Sequence, residues 1–176
     1  MRFIETRLAG AFIIEPELIE DERGFFARSF CRREFEERGL NPEVVQCNIS
    51  FNRRRATLRG MHYQVAPHAE CKLVRCTRGA IYDVILDLRC DSATYRCWCA
   101  LELTADNRRT LYIPTGMAHG FETLSDNSEV FYQISQYYDP DCARGVRWND
   151  SAFDITWPLA PVVISDKDRS YPAFVA

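Results

Sequence analysis

Histidine is scarce in this chain: His62, His68 and His119 are the only three in 176 residues. Chemistry that relies on imidazole must run through those positions. Long apolar runs are also missing, and none approaches the roughly 20 residues that a membrane-crossing helix needs. The first ten residues, MRFIETRLAG, lack the apolar stretch of a signal peptide. The expected compartment is the cytoplasm, with no membrane partner. No lysine or arginine run dominates a terminus, and the net charge is −3. That excludes the basic surface on which non-specific nucleic-acid binding depends. It leaves room for an anionic small molecule, because a few cations can gather in one cleft. No C-x-x-C pair occurs among the eight cysteines, so neither a zinc knuckle nor a thioredoxin-type motif is indicated. Without a secretory signal, reduced thiols are expected, most of them small buried hydrophobes. Cys97 and Cys99 have the spacing of two packing residues on one strand face. Repeats, low-complexity segments and linkers are absent too, so residues 1–176 read as a single domain around one core.

What the chain does contain is a succession of short strand-like runs between turn residues. AFIIEP, EVVQCNISFN, TLRGMHYQV, KLVRCTRG, AIYDVILDL, CWCALELT, TLYIP, HGFETL and EVFYQISQYY are dense in β-branched and aromatic residues. In AIYDVILDL, Ile81, Asp83, Ile85 and Asp87 share one face, and Tyr82, Val84, Leu86 and Leu88 share the other. Two faces of mixed character suit antiparallel sheets packed on one another or closed into a barrel. One helix is expected around CRREFEERGL, anchored by Phe35 and stopped by Gly39. The proline-rich stretch after Asn149 is expected to wrap the barrel irregularly. The pattern predicts an all-β, cupin-type jelly-roll barrel with one or two short peripheral helices, whose interior holds a ligand among alternate strand residues.

Each histidine has a bland reading, as a hydrogen-bonded core or surface residue, and a chemical one. His119 lies in IPTGMAHGF, whose P-x-G-x-x-H resembles the second motif of cupins. Metal cupins add an H-x-H pair and a glutamate, but here His62 and His68 are six residues apart. Because a stable divalent site wants three or four such ligands, metal-free chemistry is the expectation. His62 follows Leu58-Arg59-Gly60-Met61. Simple alternation cannot place Arg59 and His62 on one face, but a bulge at Gly60 brings both inward. Histidine is the natural general base near neutral pH. Lys72 and Arg75 add positive charge suited to an anionic substrate or a developing oxyanion. Alone, His62 is as readily structural as catalytic. Arg59, Lys72 and His119 in neighbouring strands favour a site.

These residues carry a resemblance. DERGFF, QCNIS, LRGMHYQ, PHAECKLVRC, YDVILDLR, LYIPTGMAHGF, VFYQISQYY, WND and SDKD occur in order along nearly the whole chain. Together they resemble the dTDP-4-dehydrorhamnose 3,5-epimerase family of cupin epimerases. The resemblance implies an isomerase that uses no metal and no organic cofactor. Its substrate would be a nucleotide-linked 4-keto-6-deoxy hexose, inverted at carbons 3 and 5 through an enolate. It further implies His62 as base, Asp168 as its orienting partner, Tyr132 as acid on the opposite face, and Lys72 at the keto oxygen. Arg59 and His119 would contact diphosphate and sugar. Arg23, Gln46, Asn48 and Lys167 fall on binding positions, and Tyr138 on an aromatic that stacks on the nucleotide base. A homodimer with exchanged N-terminal strands is implied as well.

The chain also departs from the family pattern. Ala27-Arg28-Ser29 replaces F-E-S, reversing a charge at Arg28. QCNIS replaces QDNHS, with Cys47 and Ile49. Ala143 stands where a nucleotide-contacting glutamate is usual, and Gln133 where a lysine follows the tyrosine. The expectation is intact epimerase chemistry, with nucleotide choice decided around Arg28, Cys47 and Ala143. Rival readings are an epimerase of one carbon only, one acting on a CDP or GDP sugar, a metal-dependent cupin oxygenase or isomerase, and a non-catalytic sugar-nucleotide-binding cupin.

Overall fold

The computed structural model describes residues 1–175. Its strands are β1 (Arg2–Glu5), β2 (Phe12–Glu15), β3 (Ile19–Asp21), β4 (Gly24–Phe26), β5 (Gln46–Asn52), β6 (Leu58–Gln64), β7 (Lys72–Arg78), β8 (Ala80–Asp87), β9 (Trp98–Thr104), β10 (Thr110–Ile113), β11 (Met117–Thr123), β12 (Ser128–Ile134) and β13 (Ala143–Gly145). Two five-residue helices complete it, α1 (Arg32–Glu36) and α2 (Asp166–Ser170). One sheet has the order β1-β2-β10-β7-β12-β5, the other β13-β6-β11-β8-β9, and β3 pairs only with β4. All pairings between these strands are antiparallel. This is the jelly-roll barrel expected from the strand pattern. No helix among the described residues is long and apolar enough to cross a membrane.

Three apolar clusters follow from the alternation of the strands. Ile81, Ile85, Leu103, Leu111, Phe121 and Val130 meet between the two sheets. Val84 and Leu86, on the other face of β8, pack against Phe153 and Ile155 of the C-terminal stretch, which wraps the barrel as expected. Phe35 of α1 is fully buried against Ile14, Leu73 and Tyr112, and Gly39 follows with φ +67°. Both faces of β8 are therefore covered, which accounts for the near-continuous apolar run in its sequence. Asp83 and Asp87 are the buried charged exceptions on β8, and Asp87 is satisfied locally. Burial alone would raise its pKa, but Arg89, Ser92 and Thr94 hydrogen-bond to the carboxylate and pull it well below the usual range.

Several expectations need correction. Only Cys71, Cys76, Cys99 and Cys142 are buried; Cys47, Cys90 and Cys97 are exposed. Cys97 lies just before β9 and is exposed, whereas Cys99 is buried, so the two do not pack on one face. β1, β3, β4 and β13 lie outside the expected strands. β3 and β4 are three residues each and exposed throughout, so they carry no inside–outside alternation to read.

The bulge at Gly60 is present. His119 pairs with His62, yet Phe121 pairs with Arg59, so three steps on β6 match two on β11. Gly60 has φ +137°, and a Cβ there would lie 2.5 Å from the Gly120 Cα. Only a residue without a side chain permits this approach. Gly60→Ala should destabilise the fold by about 2–5 kcal/mol, from backbone strain and overpacking together. Urea unfolding measures this, and an unchanged midpoint would show that β6 and β11 tolerate a wider spacing.

Candidate active site

A cavity of about 540 Å³ opens between the two sheets. The six-stranded sheet contributes Gln46 and Asn48 from β5, Lys72 from β7 and Tyr132 from β12. The five-stranded sheet contributes Arg59 and His62 from β6 and His119 from β11. Tyr138, beyond β12, and Lys167 and Asp168 from α2 close the rim. Of the residues expected at the site, all line this cavity except Arg23 and Arg75; Arg75 lines a different cavity. Arg23 lies in the β3–β4 turn, highly exposed, and pairs with Asp21.

His62 and Asp168 are 106 residues apart in sequence, and His62 Nε2 lies 2.6 Å from Asp168 Oδ1. Ser165 caps α2 by accepting a hydrogen bond from the Asp168 amide, the S-x-x-D signature of a helix start. The second carboxylate oxygen accepts from the Gly60 amide at 3.3 Å. Burial alone would raise the Asp168 pKa. The His62 hydrogen bond and charge, with the Gly60 amide and Ser165, outweigh it and hold the carboxyl below its usual value. An ionised Asp168 accepts from Nε2, the arrangement in which Nδ1 is the ring's acceptor.

Tyr132 stands on the opposite sheet. Burial pushes its phenol well above the usual tyrosine range, the Asp83 charge adds to this, and Arg59 opposes it. It is therefore a neutral O–H, a proton donor rather than a phenolate. Its ring meets that of His119 edge-on, with centroids 6.1 Å apart. His119 Nε2 is 2.8 Å from Asp83 Oδ1, and both side chains are buried. Lys72 Nζ donates to the His62 carbonyl at 3.0 Å and pairs with Glu70 at 3.0 Å. Arg59 Nε donates to Asn52 Oδ1 at 2.7 Å, which fixes the guanidinium at the wall. Gln46 accepts from the Tyr138 amide and donates to Asn48. Arg59, Lys72, Arg144 and Lys167 outnumber Glu70 and Asp168 along the wall, so the cavity favours an anion.

Sequence reasoning missed Asp83, Glu70, Tyr171 and Arg144. Asp83 was readable, as an acidic residue on the inward face of β8, two residues along from the register partner of His119. Nothing in the sequence marked the others. The residues thought to choose the nucleotide separate: Ala143 lines the cavity, whereas Arg28 lines a different one and pairs with Glu34 at 3.0 Å. Cys47 is exposed and outside the cavity, because alternation along β5 sends Gln46 and Asn48 inward.

A jelly-roll barrel with a His–Asp pair facing a protonated tyrosine across an anion-friendly cavity defines a cupin-type proton-transfer enzyme. The comparisons make the class specific. Residues 5–176 match the family model of dTDP-4-dehydrorhamnose 3,5-epimerase. The chain is 46% identical over 173 residues to dTDP-4-dehydrorhamnose 3,5-epimerase of Methanothermobacter thermautotrophicus, covering 97% of this chain and 92% of that protein. It is 43% identical over 176 residues to the Shigella flexneri enzyme of that name, covering 99% and 97%. Among solved structures, dTDP-4-dehydrorhamnose 3,5-epimerase from Bacillus anthracis, with TDP and PPi bound, superposes with a TM-score of 0.94 at 43% identity, covering 98% of this chain and 99% of that one. The chain belongs to the dTDP-4-dehydrorhamnose 3,5-epimerase family, and it is an isomerase.

The lowered Asp168 pKa has a pH consequence. An aspartate that titrates near 3.9 when unfolded and lower when folded stabilises the native state fully above its unfolded value. That stability is lost as pH falls through the folded value. Asp168→Asn should therefore lower the melting temperature at neutral pH and flatten its decline below about pH 4. Scanning calorimetry across the acid range measures this, and an acid limb identical to that of the parent would contradict an ionised Asp168.

Proposed function

We propose that this chain inverts carbons 3 and 5 of dTDP-4-dehydro-6-deoxyglucose, giving dTDP-4-dehydro-L-rhamnose. One observation carries the reading: the base and the acid come from opposite sheets. His62, held by Asp168, and Tyr132, kept protonated by burial, face one cavity from its two walls. A sugar ring between them meets a proton acceptor on one face and a donor on the other, which is what inversion requires. Carbon-bound protons next to a ketone are acidic because the conjugate base is an enolate. His62 takes the proton, Lys72 holds the enolate oxygen, and Tyr132 returns a proton from the other side. Exchange with solvent restores both groups before the second carbon reacts. Arg59, His119 and Lys167 suit diphosphate and sugar; Gln46, Asn48 and Tyr138 suit the nucleoside. The names of the relatives support the same substrate.

The reading treats residues 1–176 as one catalytic domain that uses no cofactor and acts in the cytoplasm. It takes a nucleotide-diphosphate sugar as its partner, and neither nucleic acid nor a membrane. It also includes a homodimer. Ile19, Phe25, Phe26, Ile49 and Phe51 are exposed on the β3–β4 hairpin and β5, and a second subunit would cover them. Arg23 belongs to that hairpin, so a dimer contact is the route by which it would reach a neighbouring cavity.

Incubation with dTDP-4-dehydro-6-deoxyglucose in deuterated water tests the proposal. Deuterium should enter at both carbons, and His62→Ala should slow entry by about 10²–10⁴-fold. Tyr132→Phe should impair inversion more than exchange. Absence of exchange by the parent enzyme would sink the reading, and exchange at one carbon alone would reduce it to a single-site epimerase.

A further inference from the structure

We propose that His68, Asp139 and Cys142 form a binding site for a zinc-like divalent cation that staples two rim loops together. His68 lies in the turn between β6 and β7; Asp139 and Cys142 lie between β12 and β13. One donor atom from each falls within 4.8 Å of the others, and His68 Nε2 is 3.3 Å from Asp139 Oδ2. Among the described residues this is the one such trio of histidine, cysteine and acidic side chains, and neither His62 nor His119 belongs to it. The site is therefore separate from the barrel interior where cupins hold metals.

The donor chemistry selects the ion. A thiolate, an imidazole and a carboxylate together suit borderline-soft zinc, whereas magnesium and calcium prefer oxygen alone. Bond lengths of about 2.0–2.3 Å in a tetrahedron place donors about 3.3–3.8 Å apart, so side-chain rotations of about 1 Å close the set. Water takes the fourth position.

Two further features fit a ligand. Asp139 uses Oδ1 for the Asp141 and Cys142 amides, at 2.8 and 3.2 Å, which leaves Oδ2 for an ion. The buried Gln64 ties the two loops from beneath, donating to the His68 and Tyr137 carbonyls at 2.8 and 3.1 Å and accepting from the Asp139 amide at 2.7 Å. The donors thus stand on a frame that hydrogen bonds set before any ion arrives. His68 and Asp139 are each about a third exposed, at 37% and 30%, which supplies an entry path to the buried thiol.

The bound ion would fix the segment that carries Tyr138. This last consequence rests on the epimerase reading; the metal site itself does not.

The chelator-treated full chain is titrated with Co²⁺ and followed by absorbance, then competed with Zn²⁺. A thiolate-to-cobalt charge-transfer band and tetrahedral visible bands should saturate at one ion per chain and vanish with zinc. Cys142→Ser should abolish the charge-transfer band. His68→Ala should weaken binding by more than the 10- to 100-fold typical of a ligand's outer partners. Asp139→Asn retains the turn-forming oxygen and should do the same. Ser at the exposed Cys47, Cys90 and Cys97 should leave the band unchanged. Zinc should raise the melting temperature of the parent but not of Cys142→Ser, whose metal-free melting temperature should equal that of the chelated parent. No charge-transfer band in the parent, or an undiminished one in Cys142→Ser, would overturn the site. Solvent exchange into the nucleotide sugar should persist after chelation, so failure of either proposal can be seen without the other.

Discussion

The contact between His62 and Asp168 is the interaction on which the active end of the molecule depends. It joins the central strand region of one sheet to the C-terminal helix across 106 residues of sequence, at 2.6 Å. A five-residue helix has no stability of its own, since nucleation costs more than so few hydrogen bonds return. α2 is held from outside: by the Ser165 cap, by the Gly60 amide and by the imidazole, all acting on Asp168. The C-terminal wrap is therefore more than a cover for β8. Its Phe153 and Ile155 bury the outer face of the sheet, and that burial brings the Asp168 carboxylate to His62.

The same point on β6 joins fold to chemistry a second time. Regular alternation would turn Arg59 away whenever His62 faced the cavity. The extra residue in β6 relieves that parity, and the glycine pair Gly60–Gly120 lets the strands close over it. The Gly60 amide, freed from the regular ladder, becomes a donor to Asp168. One local irregularity thus places Arg59, His62 and the hydrogen bond that holds Asp168. Bulges recur beside active sites, where they re-aim a side chain, and this one lies inside the sheet between β6 and β11.

How much of this was legible depends on the length scale of the signal. Strands with one buried face announce themselves by alternation, as β8 does, and the bulge was readable because Arg59 and His62 violate parity around a glycine. β3 and β4 were not, since no face of the hairpin is buried within the chain. The cysteines misled because composition says nothing of position: Cys99 falls on an inward strand site, Cys97 just before the strand. The catalytic set came from a resemblance spread over the chain rather than from local pattern, as no rule of periodicity links His62 to Asp168. Glu70 and Tyr171 left no trace, because what makes them cavity residues is the meeting of segments remote in sequence. Within one chain Arg28, Cys47 and Ala143 do not share a cavity, again because segments remote in sequence decide what meets.

The two histidine–aspartate pairs show why similar partners need not share a role. His119 and Asp83 are both buried, with side-chain exposures of 5% and 0%. His62 is 42% exposed above an Asp168 that is 5% exposed. Proton exchange with solvent requires access, and only the half-open pair has it. The closed pair sits beside Tyr132, where the Asp83 charge acts together with burial to keep the phenol protonated. Removing a proton from Tyr132 would set a second negative charge near Asp83 in a poorly solvated wall, and that is costly. Asp83 therefore acts at a distance: it holds His119 in place and helps keep the Tyr132 phenol protonated.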